Sequence, residues 1–370
     1  MAEVFETNEI AYRACILYEA ARKTPLKVAY KNMKEVKPNV KYSNFEYWFN
    51  RFSDGNHDLT RGFSDMPLEV VDNIVGYLGL VDKLSTRKVC RKLRAVIDDQ
   101  ASILGEEVEI IIARKHCKIF NEYEEIKYSA LENGNYLLET PRRKISLKGD
   151  HSIAAIEEFA SVITHPKWSF KYVTIAFDKK NPHPENERKS ILFLNSLLSN
   201  NKFHVEFLTI NARTLELLAT LLSHFETDCL GFDCYSPMVD TDLLQVIVKM
   251  DKWKKVKEFY PESLPDEFPI ESLFHARECY VHNVNITEDR LMKIRDILFQ
   301  TPTFEIWKLY DRKDKNREDL SVLVDRVMGA HAAYDPLTKV YRIENSKDYI
   351  QISIESIDRR RSVYIEKIRS

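Results

Sequence analysis

The stretch from Phe63 to Ile97 constrains the fold of this chain more than any other part of its sequence. Its apolar spacing predicts three short amphipathic helices, the first with Pro67 in its opening turn and Asp65 as its cap. A unit this small cannot bury all of its apolar side chains within itself. We therefore expect an apolar surface here that needs a second protein to cover it.

The composition of the 370-residue chain is that of an ordinary globular protein, with 44% hydrophobic residues, 30% charged residues and a formal net charge of −2. This balance does not predict an electrostatic surface for nucleic acid or for a membrane. No apolar run reaches the roughly 20 residues that span a bilayer, and the first ten residues do not resemble a secretory signal. The six cysteines are scattered, which indicates reduced thiols and a cytoplasmic or nuclear location.

A change of periodicity divides the chain into three predicted domains. Residues 1–60 are predicted to form a helical module, because apolar side chains recur at helical spacing, most clearly between Tyr42 and Phe52. Residues 61–105 form the three-helix unit. From about residue 106 to residue 370 short strand-like runs alternate with helices, and Asn133-Gly134 predicts a hairpin between two of the first strands.

The third domain carries an approximate repeat of one strand and one helix. The strand-like runs are Val173–Phe177, Val205–Ile210, Cys229–Cys234, Val256–Tyr260, Arg277–Asn283 and Phe304–Tyr310. A unit of 20 to 29 residues is the period of a leucine-rich-repeat solenoid, whose units bury their faces on their neighbours and leave an extended concave surface. We therefore predict a mixed α+β and α/β chain, with a leucine-rich-repeat-like strand–helix domain at its C-terminal end. Lys339–Ile343 and Tyr349–Ile354 are predicted as strands that cap the solenoid.

The three-helix unit carries a motif that extends without gaps across all three helices. The motif reads Met66-Pro67-x-Glu69-Val70, Ile74, Leu78, Asp82-x-Leu84 and Arg87-x-Val89-Cys90-Arg91-x-Leu93-Arg94. It closely resembles an F-box. The resemblance implies docking onto the Skp-type adaptor of a cullin–RING ubiquitin ligase.

The same resemblance implies which side chains bind the adaptor, because apolar anchors buried at the centre dominate such interfaces. The predicted adaptor-binding residues are Pro67, Glu69, Ile74, Leu78, Leu84 and Val89. Some of them must instead form the small internal core, and the sequence leaves that division open.

The N-terminal module carries a second resemblance. The runs Cys15–Glu19 and Phe45–Phe52 are similar to the helix-turn-helix module at the start of mariner-type transposases. Such modules read DNA through a recognition helix, which implies a DNA-binding or transcription-linked protein as the alternative function. Acidic and basic residues nearly balance in residues 1–60, whereas phosphate contact needs a basic excess. A helical module used for protein contact or fold support is therefore the other interpretation.

The third domain resembles the FTH domain that follows the F-box in a large nematode family. The segments that carry the resemblance are His165-Pro166-Lys167-Trp168, Phe203–Ile210, Trp253-Lys254-x-Val256-Lys257 and Phe268-Pro269-Ile270. In that family the C-terminal domain is the proposed target-binding part. Here the resemblance implies an unknown target protein as a second partner.

No catalytic motif is expected in this chain. It has no glycine-rich phosphate loop, no HExxH and no GxSxG motif. Cys229 and Cys234 lie five residues apart in one predicted strand, which puts them on opposite faces and does not suit a zinc pair. We therefore expect no catalytic residue, metal or cofactor. The predicted function is that of a non-catalytic substrate-recognition subunit of an SCF-type ubiquitin ligase.

Overall fold

A computed structural model of the protein describes most of the chain as two compact units, Met1–Val75 and Gly76–Ser370. The described residues are 8–60, 66–100, 106–165, 168–179, 183–199, 201–212, 214–234, 241–298, 304–312, 319–329, 332–335, 337–343, 347–357 and 360–369. The predicted cap Asp65 lies outside them. The predicted domain boundaries after residues 60 and 105 stay predictions.

The first unit opens with three helices around an aromatic core. They are α1 (Glu9–Ala21), α2 (Leu26–Val36) and α3 (Tyr42–Ser53). Asn8 caps α1 by accepting a hydrogen bond from the backbone of Ala11, and Pro25 precedes α2. The buried side chains of the core are Tyr12, Ile16, Ala20, Ala29, Met33, Val40, Phe45, Trp48, Phe49 and Phe52. The helical spacing read from the sequence of α3 therefore identifies its buried face correctly.

Three shorter helices occupy the F-box motif. They are α4 (Leu68–Gly76), α5 (Leu80–Arg87) and α6 (Arg91–Asp99). Almost all of α4 belongs to the first unit, whereas α5 and α6 belong to the second. The sulfur of Cys90 caps α6 by accepting a hydrogen bond from the backbone of Leu93. Gly79 precedes α5 as its N-cap, and Asp82 lies inside the first turn of the helix.

A single sheet of 15 strands among the described residues dominates the second unit. The order across the sheet is β12-β13-β14-β15-β11-β10-β9-β8-β7-β6-β1-β2-β3-β4-β5. The central run from β1 to β11 is parallel. Its strands are β1 (Glu107–Ile112), β6 (Tyr172–Phe177), β7 (Phe203–Ala212), β8 (Phe225–Cys234), β9 (Glu258–Ser263), β10 (Glu278–Val284) and β11 (Ile306–Asp311).

Each step from β6 to β11 contains helical structure between consecutive strands. These helices, with α7 preceding β6, are α7 (His151–Ile163), α8 (Pro184–Leu198), α9 (Leu215–Leu222), α10 (Thr241–Lys249), α11 (Asp251–Lys255), a 3-10 turn (Ile270–Leu273) and α12 (Glu288–Leu298). α13 (Leu320–Met328) follows β11 and packs on α12. Most neighbouring helices contact one another, and α7, α9 and α11 also contact strands. The predicted succession of strand and helix is therefore confirmed, because each of the six predicted runs overlaps one parallel strand.

Antiparallel strands close both ends of this parallel run. One end consists of β2 (His116–Phe120), β3 (Glu125–Ala130), β4 (Asn135–Glu139) and β5 (Lys144–Lys148), and the other of β12 (Ala332–Asp335), β13 (Thr338–Arg342), β14 (Tyr349–Ile357) and β15 (Arg360–Ile368). Gly134 adopts a φ of +74° between β3 and β4, as the hairpin requires. β11 pairs with β15, which is not one of the strands that the sequence predicts. Among the described residues no helix is long and apolar enough to cross a bilayer.

Candidate functional site

The six predicted adaptor-binding residues differ in their exposure to solvent. In the first unit, Pro67 and Glu69 are exposed at the start of α4, and Ile74 is 39% exposed near its end. In the second unit, Leu78 is half-buried and Val89, between α5 and α6, is 72% exposed. The structure therefore leaves five of the six residues at least partly accessible to a partner.

Leu84 differs from the other five residues because it is only 4% exposed. It lies on the buried side of α5 with Leu80 and Val81, so it belongs to the core of the second unit. This burial means that Leu84 packs inside the second unit in this structure, and its role as an adaptor contact stays a prediction. The helical period alone could not separate the two roles, because it identifies the apolar face of α5 but not what covers that face.

Apolar side chains other than the predicted adaptor-binding residues are also exposed in the F-box segment. In α4 these are Leu68 and Val70, whereas Val71 and Val75 are buried. In the second unit Tyr77 is also exposed. On α4 alone, Leu68, Val70 and Ile74 are exposed, and exposed apolar side chains so close together on one short helix favour an interaction surface because water-exposed apolar area is unfavourable.

Helix α5 and its C-cap are fixed to the loops of the antiparallel strands and to α7. Glu124, between β2 and β3, accepts a hydrogen bond from the backbone N–H of Val81 at 2.9 Å and so satisfies the first turn of α5. Arg142, between β4 and β5, forms an ion pair of 2.5 Å with Asp82. Lys88 pairs with Glu158 of α7. These contacts couple α5 directly to the strand domain.

A charged cluster joins α5 and α6 to the segment after α7. Arg87 donates to Asp98 at 2.6 Å, and the Nε2 atom of His165 lies 3.3 Å from the same carboxylate. Burial acts to raise the pKa of Asp98, but the hydrogen bond and charge of Arg87 outweigh it and lower that pKa. His165 belongs to one of the segments that resemble the FTH domain, and its role here is structural.

Lys83 is a buried amine in α5. Its side chain is 1% exposed, and its Nζ atom has no hydrogen-bond partner among the described residues. Burial lowers the pKa of Lys83, which means that the charged form costs folding free energy at neutral pH. The cost decreases as the pH rises towards the ordinary lysine value.

Replacing Lys83 by methionine should therefore stabilise the protein. We expect K83M to raise the free energy of unfolding by about 1–3 kcal/mol, because it removes an unsatisfied buried donor at nearly constant volume. Urea unfolding at pH 7 measures this change. Lys254→Met, at an exposed position of α11, is the matched control and should change stability by less than about 0.5 kcal/mol. An equal or lower stability of K83M would contradict the prediction.

The parallel strands present one face to the helices and leave the other half-exposed. Buried and half-buried residues alternate along β1, β6, β10 and β11. We call the half-exposed side the open face. Its positions include Glu107, Glu109, Tyr172, Thr174, Phe207, Thr209, Cys229, Gly231, Glu258, Tyr260, Glu278, Tyr280, Ile306 and Lys308.

Aromatic rings form a continuous strip across four steps of the open face. The ring centroids of Tyr172 and Phe207 lie 6.1 Å apart, and those of Phe207 and Tyr260 lie 5.2 Å apart. Tyr260 and Tyr280 stack at 5.0 Å with an angle of 3° between their planes. We call these four side chains the aromatic strip. Aromatic residues are the commonest anchors of protein interfaces, so this strip is the second candidate binding surface.

Carboxylates and one guanidinium border the strip. Arg277 donates to Glu258 at 2.6 Å and lies 3.2 Å from Glu278, the neighbouring residue across the strands. Cys229 donates to Glu258 at 3.2 Å, and burial together with this hydrogen bond raises the pKa of Cys229 to about 12. The thiol is therefore protonated at neutral pH and unsuited to nucleophilic chemistry.

Metal binding gains no support from the described residues. They contain no group of three or more His, Cys, Asp and Glu side chains placed to hold an ion. The side chain of Cys234 lies outside the description, so the predicted separation of Cys229 and Cys234 onto opposite faces stays a prediction.

Comparison with known proteins identifies three domain types in the chain. The family model for the HTH domain in Mos1 transposase matches residues 9–56, that for the F-box domain matches residues 63–103, and that for the FTH domain matches residues 190–324. The three predicted resemblances are confirmed, in the predicted order. The FTH match begins inside α8, so it leaves out the first part of the domain that was predicted to begin at about residue 106.

One relative is similar to this chain over most of its length. The F-box A protein 224 of Caenorhabditis elegans is 26% identical to this chain over 329 residues, which cover 84% of the chain and 85% of the relative. The domain matches and this relative support the role of an F-box protein that recognises a substrate.

Proposed function

We propose that this protein is the substrate-recognition subunit of an SCF-type cullin–RING ubiquitin ligase, with its F-box bound to a Skp-type adaptor. The observation that carries the proposal is the exposure of apolar side chains on the F-box helices, above all Val89 and, on α4, Ile74. A match to the F-box domain over residues 63–103 supports the choice of partner. A cytoplasmic or nuclear location accompanies this function.

In this proposal the chain supplies no catalytic group. The F-box holds it in the ligase, the strand domain holds a target protein, and ubiquitin comes from enzymes recruited elsewhere in the complex. The gain in rate then comes from effective concentration and orientation. The contacts of Glu124, Arg142 and Glu158 with α5 and its C-cap support this division of labour, because they transmit the position of the docked helices directly to the target-binding domain.

Co-expression of the full chain with a Skp-type adaptor tests the proposal. We expect the two proteins to elute together in size-exclusion chromatography, and addition of a cullin to shift the complex to larger size. Separate elution of chain and adaptor at micromolar concentration would overturn the assignment.

The second candidate function is DNA binding by the helix-turn-helix module. One observation favours it: Lys27, Lys31 and Lys34 are exposed at helical spacing along α2. Three lysines on one side of a helix can contact successive phosphates, although the module as a whole is close to neutral.

This candidate predicts binding of the full chain to duplex DNA at about 50 mM salt, with an affinity that falls as salt is added. Replacing the three lysines by glutamate should abolish the binding, whereas the same replacement of Lys252, Lys254 and Lys255 in α11 should leave it unchanged. A gel-shift experiment measures both. Absence of a shift for the unaltered protein would remove the candidate.

A further inference from the structure

The aromatic strip ends beside two carboxylates, those of Glu107 and Glu109. Glu107 pairs with Tyr172 in the register of β1 and β6, and Glu109 pairs with Thr174. Both are half-buried on the open face. Among the described residues neither carboxylate has a hydrogen-bond or ion-pair partner, whereas Glu258 and Glu278 are already bound to Arg277. A half-buried carboxylate without a partner is costly, so a cation from outside would be bound favourably.

The ionisation of Glu109 supports this view. Burial, and then the neighbouring carboxylate of Glu107, raise the pKa of Glu109 above its ordinary value. A raised carboxylate pKa means that ionisation costs folding free energy at neutral pH, and that this cost disappears as the pH falls below the unfolded value. Replacing Glu109 by glutamine should therefore leave the protein folded and no less stable.

The open face already holds cations in two places. Arg277 bridges the paired carboxylates beside the strip, and the Lys308 ammonium lies 5.3 Å from the ring centroid of Tyr310 and 5.5 Å from that of Tyr364. Carboxylates and aromatic faces both attract cations in this geometry. Lys308 is the one basic side chain among the fourteen open-face positions named above, and four of those positions are glutamates.

We propose that the open face binds an extended segment of a target protein that lies across the strands, with apolar side chains on the aromatic strip and an arginine or lysine at Glu107 and Glu109. This inference rests on the proposed function and gives the chemistry of the target. The path from β1 to β10 crosses five strand spacings, about 24 Å, which an extended segment of about seven residues covers.

Gly231 makes the strip continuous. It lies on β8 between the strands of Phe207 and Tyr260, and its lack of a side chain lets their rings meet. A Cβ atom at this position would lie 3.1 Å from the hydroxyl of Thr209 and 3.5 Å from the ring of Phe207. A valine here would push the rings of Phe207 and Tyr260 apart and so divide the strip into two halves.

Selection from a phage library of random twelve-residue peptides on the immobilised full chain tests the proposal. We expect the selected peptides to be enriched in arginine or lysine together with apolar residues. Their affinity, measured by fluorescence polarisation, should fall at least about tenfold in the double variant Glu107→Gln, Glu109→Gln and in Tyr260→Ala. Gly231→Val should have an effect of similar size.

Matched controls lie away from the open face. Glu216→Gln, on an exposed position of α9, and Tyr123→Ala, between β2 and β3, should leave peptide affinity unchanged. Selection of no peptide, of peptides without basic residues, or of peptides that bind all variants equally would overturn the proposal. Adaptor binding of the unaltered protein and of the same variants is measured in parallel. Failure of the unaltered protein to bind the adaptor would overturn the ligase assignment, whereas the peptide affinities decide the role of the open face.

Discussion

Replacing Ile74 and Val89 together by aspartate should abolish binding to the Skp-type adaptor while the chain stays folded. Both side chains are exposed, so their replacement removes no internal contact comparable to that of a core residue. An aspartate at each position would bring an unpaired carboxylate into an apolar interface, at a cost of several kcal/mol. The affinity should therefore fall by more than about hundredfold, since about 1.4 kcal/mol corresponds to a factor of ten.

The measurement is isothermal titration of the adaptor into the purified double variant, with circular dichroism and thermal unfolding to establish that it folds. Val28→Asp in α2 and Leu192→Asp in α8 place the same charge on other exposed apolar positions and serve as controls. We expect both controls to bind the adaptor normally. Normal binding by the double variant would exclude these two side chains from the interface. Leu84 is unsuitable for this test, because an aspartate at a buried position would destabilise the fold itself.

The F-box illustrates why sequence predicts the presence of a surface better than its residues. The motif and the amphipathic period locate α4, α5 and α6 correctly, because short-range spacing fixes both. Leu84 is buried, and α5 contacts Glu124 and Arg142, which are distant from it in sequence. No local pattern contains such long-range contacts, so the exposure of each side chain needed the structure.

The repeat domain shows the same contrast on a larger scale. Its strands are visible in the sequence because buried β-strands concentrate apolar residues, and their chain order gives the neighbours in a parallel solenoid. The aromatic strip is not visible, since Phe207 and Tyr260 lie on strands separated by β8 and meet only because Gly231 has no side chain. β15 was also missed, although it pairs with β11 along its length.

The largest loss of stability is expected from Trp48→Ala in the helix-turn-helix module. Trp48 is fully buried in α3, and its ring centroid lies 5.5 Å from that of Phe52. The guanidinium of Arg13 lies over the Trp48 ring, 4.4 Å from its centroid. Truncating a buried tryptophan costs about 3–5 kcal/mol through lost burial and a residual cavity. This is a large part of the stability that a small helical unit can have.

Hydrogen exchange of the backbone amides in α1, α2 and α3 measures the effect where it arises. Protection there should decrease more than about hundredfold, because about 3 kcal/mol of local stability is lost. Trp48→Phe keeps a ring in the core and should lose less. Tyr18→Ala, at an exposed position of α1, should change protection little. Unchanged protection in Trp48→Ala would mean that the three helices do not depend on this core, and hence that they are not an independent helical module.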